Sequence, residues 1–200
     1  PQDDMISYLT TVEYSPLKRK LTDLEINGVV YAMVIGGLET TQYALAEQVQ
    51  LLIENQEIWS TLQSDRSKVR AFTEEGMRLR SPTQGLSTRI TSQDEVFQGV
   101  TVPKGSFLHL RWAAANIDPQ EWAEAKSLKL DRKAGTRHLT FSQGARVCPG
   151  AHLSRLEQTV AWNVLLDRVG SFKYAADNTF LHQPGIMLGT LALNLNFDVV

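Results

Sequence analysis

The residues best suited to chemistry lie together in Phe141-Ser142-Gln143-Gly144-Ala145-Arg146-Val147-Cys148-Pro149-Gly150. Cys148 is the chain's single cysteine, and it directly precedes a helix that Pro149 is placed to open. A helix start presents unpaired backbone N–H groups and the positive end of the helix dipole. Both favour a thiolate over a thiol. Gly144 and Gly150 let the backbone turn tightly and come close to a flat ligand. Arg146, two residues before the sulfur, carries a planar fork suited to a carboxylate on that ligand's rim. Phe141 supplies an apolar wall. The plainer alternative for a lone cysteine is a small buried hydrophobe.

A second polar set interrupts an apolar stretch at Gly36-Gly37-Leu38-Glu39-Thr40-Thr41. An acid beside an alcohol within an apolar helix is costly unless both groups are satisfied or used. Its plainer alternative is a satisfied polar step. A third set, Glu75-Gly76-Met77-Arg78, places an acid and a base three residues apart on one helical face, where they can pair. Arg89 begins a strand after Ser-Pro-Thr-Gln-Gly-Leu-Ser-Thr. The four histidines, His109, His138, His152 and His182, lack zinc-site spacing and read as structural or surface residues. The sequence contains neither a phosphate-binding glycine loop nor a serine-hydrolase elbow.

The elements that must position these groups follow from periodicity and punctuation. Thr22-Asp23-Leu24-Glu25 is a capping box, and it predicts a helix from Ile26 to about Ile53. The apolar middle of that helix, Val29 to Ile35, implies packing on every side, with a weak point at Gly36-Gly37. Shorter helices are expected near Glu54 to Gln63 and from Ser67 to Leu79, the latter stopped by Ser81-Pro82. Leu86 to Thr91, Glu95 to Val100 and Phe107 to Arg111 read as strands. Trp112 to Thr140 is irregular. From Pro149 an amphipathic helix is expected to bury Leu153, Leu156, Val160 and Val164 and to stop at Gly170. Leu191 to Phe197 alternates as a half-buried strand. The class is therefore mainly α with small antiparallel sheets.

Bulk composition narrows the partners. The 200 residues are 42% hydrophobic and 21% charged, ordinary for a globular protein, and the net charge of -2 offers no global attraction to nucleic acid or to an anionic membrane. The longest apolar run, Val29 to Leu38, is too short for a membrane span, which needs about 20 residues. One cysteine cannot form an internal disulfide, which suits the cytoplasm.

Phe-x-x-Gly-x-Arg-x-Cys-x-Gly resembles the haem-binding signature of the cytochrome P-450 family, with Ser142 where a glycine is usual. Gly36 to Thr40 resembles that family's oxygen-binding helix motif, and Glu75 to Arg78 its Glu-x-x-Arg motif. Asn116-Ile117-Asp118-Pro119 is similar to its Asn-Arg-Asp-Pro turn. The motifs occur in the family's order over essentially all 200 residues, which look like the carboxyl-terminal half of one catalytic domain. The likeness is greatest to soluble bacterial, camphor-hydroxylating members. The resemblance implies a monooxygenase that contains haem b and inserts one atom of dioxygen into a small hydrophobic substrate, a terpenoid for example. Cys148 would be the axial iron ligand, with Phe141, Gly144, Gly150 and Gly37 against the haem, and Arg146 and Arg89 would hold the propionates. Glu39 and Thr40 would relay protons for O–O cleavage. Glu75 and Arg78 would form a structural lock, whose third partner aligns with Lys129. Ala32, Ile35, Gly36, Ser87, Ile186 and Met187 would line the substrate pocket. No flavin, nicotinamide or iron–sulfur motif occurs, so electrons must come from elsewhere, either a partner or a further domain, and a ferredoxin-type donor is the expected partner. The basic stretch Lys126, Lys129, Arg132, Lys133, Arg137, Arg146 and Arg155 is the expected docking region. The alternative is a non-catalytic or degenerate haem-binding half-domain.

Overall fold

A computed structural model describes residues 2–86, 88–132 and 137–200, so Ser87 and Lys133 lie outside the described residues. The chain forms two compact units, one up to Glu39 and one from Thr40 onward.

In the first unit, the Asp4 carboxylate accepts from the Ser7 amide at 2.7 Å and so caps helix α1 (Met5–Thr11). A two-stranded antiparallel hairpin follows, β1 (Glu13–Tyr14) with β2 (Arg19–Lys20). Helix α2 (Asp23–Leu38) begins at the capping box read in the sequence. The Glu25 amide donates to Thr22 Oγ1 and the Thr22 amide donates to Glu25 Oε2. Arg19 adds a two-pronged contact to Glu25 at 2.8 and 2.9 Å. The Arg19 hydrogen bonds, joined by those from Thr22, bring the Glu25 carboxyl down to about 2.

Two expectations for this helix are corrected. Its break falls at Glu39 rather than at Gly36-Gly37: α2 ends at Leu38 and α3 (Thr40–Glu54) starts at Thr40. The two glycines lower local helix propensity, but the turn that fails is the one after them. The expected all-round packing is also not found among the described residues. Among the described residues of α2 only Ile26 is buried, while Tyr31, Val34, Ile35 and Leu38 are exposed.

In the second unit, α3, α4 (Gln56–Ser64), α5 (Val69–Leu79) and α7 (Ala151–Arg168) enclose a core of Leu52, Trp59, Leu62, Val69, Phe72, Trp162, Leu166 and Val169. Phe72 and Trp162 meet edge to face, with centroids 5.2 Å apart. A polar ladder runs through the same interface. Thr41 and Ser154 share a hydroxyl–hydroxyl bond of 3.0 Å, Gln48 Nε2 donates to Gln158 Oε1 at 2.6 Å, and Trp162 Nε1 donates to Gln48 Oε1 at 2.6 Å. Gln48 fits because position 76 is glycine: a Cβ there would lie 2.5 Å from Gln48 Cγ. A short helix α6 (Trp112–Ala115) interrupts the region expected to be irregular.

The sheets are small, antiparallel and two-stranded: β3 (Thr88–Ile90) with β6 (Phe107–His109), β4 (Glu95–Phe97) with β5 (Val100–Val102), and β7 (Val169–Tyr174) with β8 (Leu195–Val199). The segment expected as one strand from Glu95 to Val100 is a hairpin. It turns at Gln98 and Gly99, both at positive φ, where Gly99 relieves the strain that a side chain would add. Helix α7 departs from expectation at both faces and at its end. It buries Ala151, Gln158, Trp162 and Leu166, whereas Leu153, Leu156, Val160 and Val164 are exposed. It ends at Arg168, and Gly170 belongs to β7. Trp162 and Leu166 meet the core instead, because the face that carries them is the one turned to α3 and α5.

Candidate functional site

Helix α5 is the support from which the site is built. Its consecutive residues Phe72 to Arg78 are all buried, including three charged ones, Glu74, Glu75 and Arg78. Buried charge persists only where it is paired and hydrogen-bonded, and each of the three is. Arg78 donates to Glu75 at 2.7 and 3.0 Å and to the carbonyls of Asn116, Ala125 and Ser127, and its guanidinium lies 5.0 Å over the Trp122 ring. The third partner is Arg132, not Lys129. Arg132 Nε reaches Glu75 Oε2 at 3.0 Å with only 10% of its side chain exposed. Lys129 reaches Glu75 only through its backbone amide, and its ammonium pairs with Glu124. The fork geometry of arginine explains the choice, since Arg132 also spans the carbonyls of Ala123, Glu124 and Ser127.

Glu74 faces the cysteine loop. His138 Nε2 lies 2.9 Å from Glu74 Oε2, and Arg155 of α7 grips the same carboxylate at 2.6 and 3.0 Å. Burial pushes the Glu74 carboxyl up, but the hydrogen bonds and charges of His138 and Arg155 outweigh it and hold the group below the usual carboxylate range. Arg155 stacks over Phe141 at 4.5 Å and the His138 ring lies 5.9 Å from it, so the first residue of the loop is wedged between two side chains bound to Glu74. Asn116 ties the preceding segment to α5. It donates to Ser81 and Thr140 and accepts from the Leu139 amide at 2.6 Å, while Thr140 donates to the Met77 carbonyl.

From Phe141 the chain turns back on itself. The Cys148 amide donates to the Phe141 carbonyl at 2.9 Å, closing the loop, and the Cys148 carbonyl accepts from Ala151 as α7 begins. Ser142 and Gly144 both have positive φ, at 63° and 79°. The glycine usual at position 142 in similar loops would hold this conformation without strain. Gln143 to Pro149 are exposed and Cys148 is an exposed free thiol, which removes the buried-hydrophobe alternative. Gly144 faces open space and a Cβ on Gly150 would lie 3.8 Å from the sulfur. This arrangement fits a flat ring that carries a metal at its centre: one sulfur donor, glycines with little side-chain bulk on both sides, and an exposed apolar Val147 between Arg146 and the sulfur. Arg146 is exposed, as is Arg89, whose guanidinium donates to the Thr88 carbonyl. Both are available for carboxylates on the ring's edge.

The other expected residues divide between the two units. Ala32, Ile35, Gly36, Gly37 and Glu39 belong to the first and are exposed. Thr40 opens α3 in the second, next to Thr41, whose bond to Ser154 fixes the start of α3 against the first turn of α7 after the cysteine loop. Ile186 and Met187 sit at the tip of a bridged segment: Met187 pairs with Thr83, and Gln84 donates to the Ile186 carbonyl at 2.7 Å. Ser87 lies outside the described residues.

Sequence reasoning passed over Glu74, His138, Arg155, Asn116 and Arg132 as site-building residues. Asn116 was visible in its turn motif. Arg132 and Arg155 were read as docking charges, and both are instead committed to buried carboxylates. No local signal distinguishes such an arginine from a solvated one.

The cytochrome P450 family model matches residues 2–191. The chain belongs to the cytochrome P450 family. It is 34% identical over 175 residues to the biotin biosynthesis cytochrome P450 of Bacillus subtilis (strain 168), covering 88% of this chain and 43% of that protein. Among solved structures, it superposes on CYP109E1 from Bacillus megaterium in complex with corticosterone with a TM-score of 0.90 at 27% identity, over 98% of this chain and 52% of that one. It superposes on P450BioI in complex with an acyl carrier protein ligated to hexadec-9Z-enoic acid with a TM-score of 0.87 at 31% identity, over 99% of this chain and 49% of that one. The chain therefore spans about half the length of its relatives. Haem b is the family's cofactor. Among the described residues no helix is long and apolar enough to cross a membrane, and no group of three or more histidine, cysteine, aspartate or glutamate side chains could hold a metal ion.

Proposed function

We propose that the protein is a haem-thiolate monooxygenase that inserts one atom of dioxygen into a small hydrophobic substrate, with Cys148 as the iron ligand. The observation that carries this reading is the exposed Cys148 thiol at the end of a loop closed by its own amide on the Phe141 carbonyl and anchored through Phe141 to Glu74. When bound, the haem supplies the activation of dioxygen. The residues of this chain hold and serve it. Arg146 and Arg89 would hold its propionates, Gly144 and Gly150, and by the family resemblance Gly37, would admit the ring at close range, and Phe141 would supply an apolar wall. Glu39 and Thr40 hold the proton chain: the carboxylate takes up a proton from solvent and the hydroxyl passes it toward the oxygen site. The reaction consumes two electrons and two protons, one oxygen atom entering the substrate and the other leaving as water.

Ile186 and Met187 are the proposed pocket residues of the second unit, and the family resemblance assigns Ala32, Ile35, Gly36 and Ser87 the same role; all six are uncharged. The relatives solved with a steroid and with a fatty acyl group support an apolar substrate of modest size. A ferredoxin-type protein is the proposed electron donor. With Arg132 and Arg155 committed inside, the steering charges that remain among the described residues are chiefly Lys126, Lys129 and Arg137, the last two partly offset by Glu124 and Glu121. Reversing Lys126 should slow reduction by the donor at low salt and flatten its salt dependence.

The test is the carbon monoxide difference spectrum of the reduced, haem-loaded protein. The wild type should give the red-shifted Soret band of a thiolate ligand, and Cys148→Ala should lose it. Retention of that band in the variant would assign the ligand elsewhere. In the same preparation Thr40→Ala should divert electrons to hydrogen peroxide, and unchanged coupling of electrons to product would remove Thr40 from the proton chain.

A further inference from the structure

Glu47 has no role in the reading so far, yet it is fully buried on α3, and two of the groups that meet its carboxylate come from one later segment of the chain. Its Oε1 accepts from Thr190 Oγ1 at 2.5 Å, faces His182 Nε2 at 2.9 Å, and accepts from Gln50 Nε2 at 3.2 Å. Among the described residues its Oε2 has no hydrogen-bond partner, and the Arg80 guanidinium lies 3.6 Å away. Gln50 Nε2 also donates to Thr190 Oγ1 at 2.9 Å. Four residues before Glu47, on the same helical face, the Tyr43 hydroxyl donates to Gln183 Oε1 at 2.7 Å. The Tyr43 ring lies against Gly189 so closely that a Cβ there would be 2.7 Å from it.

His182, Gln183, Gly189 and Thr190 are the two legs of one hairpin. Its legs are joined by the His182–Thr190 bridge and by the bonds from the Gln183 amide to Gly189 and from the Leu191 amide to Leu181. Its tip carries Ile186 and Met187, turned by Gly185 at a φ of 110°. Beyond the tip the Leu188 amide donates to the Pro82 carbonyl, and the Gln84 amide donates to the Ile186 carbonyl. Tyr43, Glu47 and Gln50 thus grip the legs while the tip lies on the segment leading to Arg89. An acid is an expensive way to hold a surface hairpin, because removing any one donor leaves buried charge poorly satisfied. The same feature makes the grip geometrically demanding, since one oxygen must meet three donors from two elements at once.

We infer that Glu47 is a positioning residue for substrate selection: with Tyr43 it fixes the hairpin 181–191 on α3 and thereby sets where Ile186 and Met187 stand in the pocket. The inference rests on the proposed pocket reading. It places the control of selectivity on a helix face that does not itself touch substrate.

Three measurements on the haem-loaded protein separate the layers of this claim. Amide hydrogen exchange reports the grip directly. In Glu47→Gln the amides of Gln183, Leu188 and Leu191 should exchange about tenfold faster, corresponding to the loss of one charged hydrogen bond, while the Cys148 amide stays protected. Dissociation constants of two nitrogen ligands of iron then report the pocket. The bulky 4-phenylimidazole should bind about tenfold more weakly, and imidazole, too small to feel the hairpin, should change less than about twofold. Tyr43→Phe removes a single hydroxyl at the other end of the grip, with minimal threat to folding. It should shift the same amides and the same ligand ratio in the same direction, by about threefold. Unchanged exchange in both variants, or faster exchange with an unchanged ligand ratio, overturns the inference. The carbon monoxide spectrum of the wild type stands apart: loss of the red-shifted band there would overturn the haem-thiolate reading, whereas its presence with an unmoved ligand ratio would overturn only the role of Glu47.

Discussion

Replacing Arg132 and Lys129 one at a time decides which residue completes the Glu75–Arg78 lock. Sequence alignment places Lys129 at the third position, and the structure places Arg132 there. Arg132 makes one charge-assisted bond to the buried Glu75 carboxylate at 3.0 Å and three bonds to backbone carbonyls, with its side chain 10% exposed. Hydrogen bonds involving a charged group are each worth about 1.5–3 kcal/mol when lost. The three to carbonyls are partly recovered by water at the surface, and Glu75 keeps Arg78, so it is never left a bare buried charge. Arg132→Gln should therefore cost about 3 kcal/mol. The Lys129 ammonium is 36% exposed and pairs with Glu124, which is 61% exposed. Such pairs contribute about 0–1 kcal/mol, and the backbone amide of residue 129 still reaches Glu75 after substitution. Lys129→Ala should cost less than about 1 kcal/mol. Urea unfolding of the haem-loaded protein, followed by tryptophan fluorescence and by the carbon monoxide spectrum, reads both. The midpoint should fall by about 1 M for Arg132→Gln and by a few tenths at most for Lys129→Ala. A larger loss at Lys129 than at Arg132 would refute the assignment, and so would equal losses.

Two further outcomes follow from the loop and its anchor. Ser142→Gly relieves a left-handed residue at φ 63°. That relief is worth about 1–2 kcal/mol, less the about 0.5–1 kcal/mol that glycine costs through the unfolded chain, so the variant should melt a few degrees higher with an unchanged carbon monoxide spectrum; a lower melting temperature would show that the serine makes a compensating contact. Glu74 is held below its ordinary value of 4.5 in the folded state, so its contribution to stability is present above that value and is lost as pH falls through the lower folded value. Wild type should accordingly exceed Glu74→Gln in urea midpoint at neutral pH, with the gap closing in acid; a gap constant with pH would mean that the carboxylate's charge contributes nothing.

What was legible in the sequence was legible for definite reasons. The cysteine loop could be read as a turn into a helix because its signals are local and lie within ten consecutive residues: Gly144 turns at positive φ, the Cys148 amide closes on Phe141, and α7 starts at Ala151 with Gly150 as its N-cap, two residues later than Pro149 suggested. The α2 capping box could be read because its two reciprocal bonds span three residues. The residues that hold the loop in place were not legible. Glu74 meets its partners 64 and 81 residues later, Glu75 meets Arg132 57 residues later, and Glu47 meets Thr190 143 residues later. At those separations an acid or an arginine looks the same in sequence whether it faces water or a buried partner of opposite charge. The correction from Lys129 to Arg132 is of this kind: alignment counts positions, while the lock is selected by which side chain carries a fork long enough to reach both a carboxylate and three carbonyls.

The apolar faces show the converse limit. Periodicity on α7 identified Leu153, Leu156, Val160 and Val164 as a stripe made for burial, and the structure leaves that stripe exposed while burying Trp162 and Leu166 with Gln158 between helices. Apolar periodicity states that a face is built for contact; it does not state which of two faces meets which neighbour. On α7 both faces are built for contact. The face toward α3 and α5 is sealed by Gln48, Gln158 and Trp162 bonding to one another, so its polar residues are as buried as any leucine, and the stripe is the second face. The same holds for α2, where Val34, Ile35 and Leu38 are exposed although the run around them is apolar on every side. On α2, as on α7, apolar patterning marks a face built for contact without naming the neighbour that meets it.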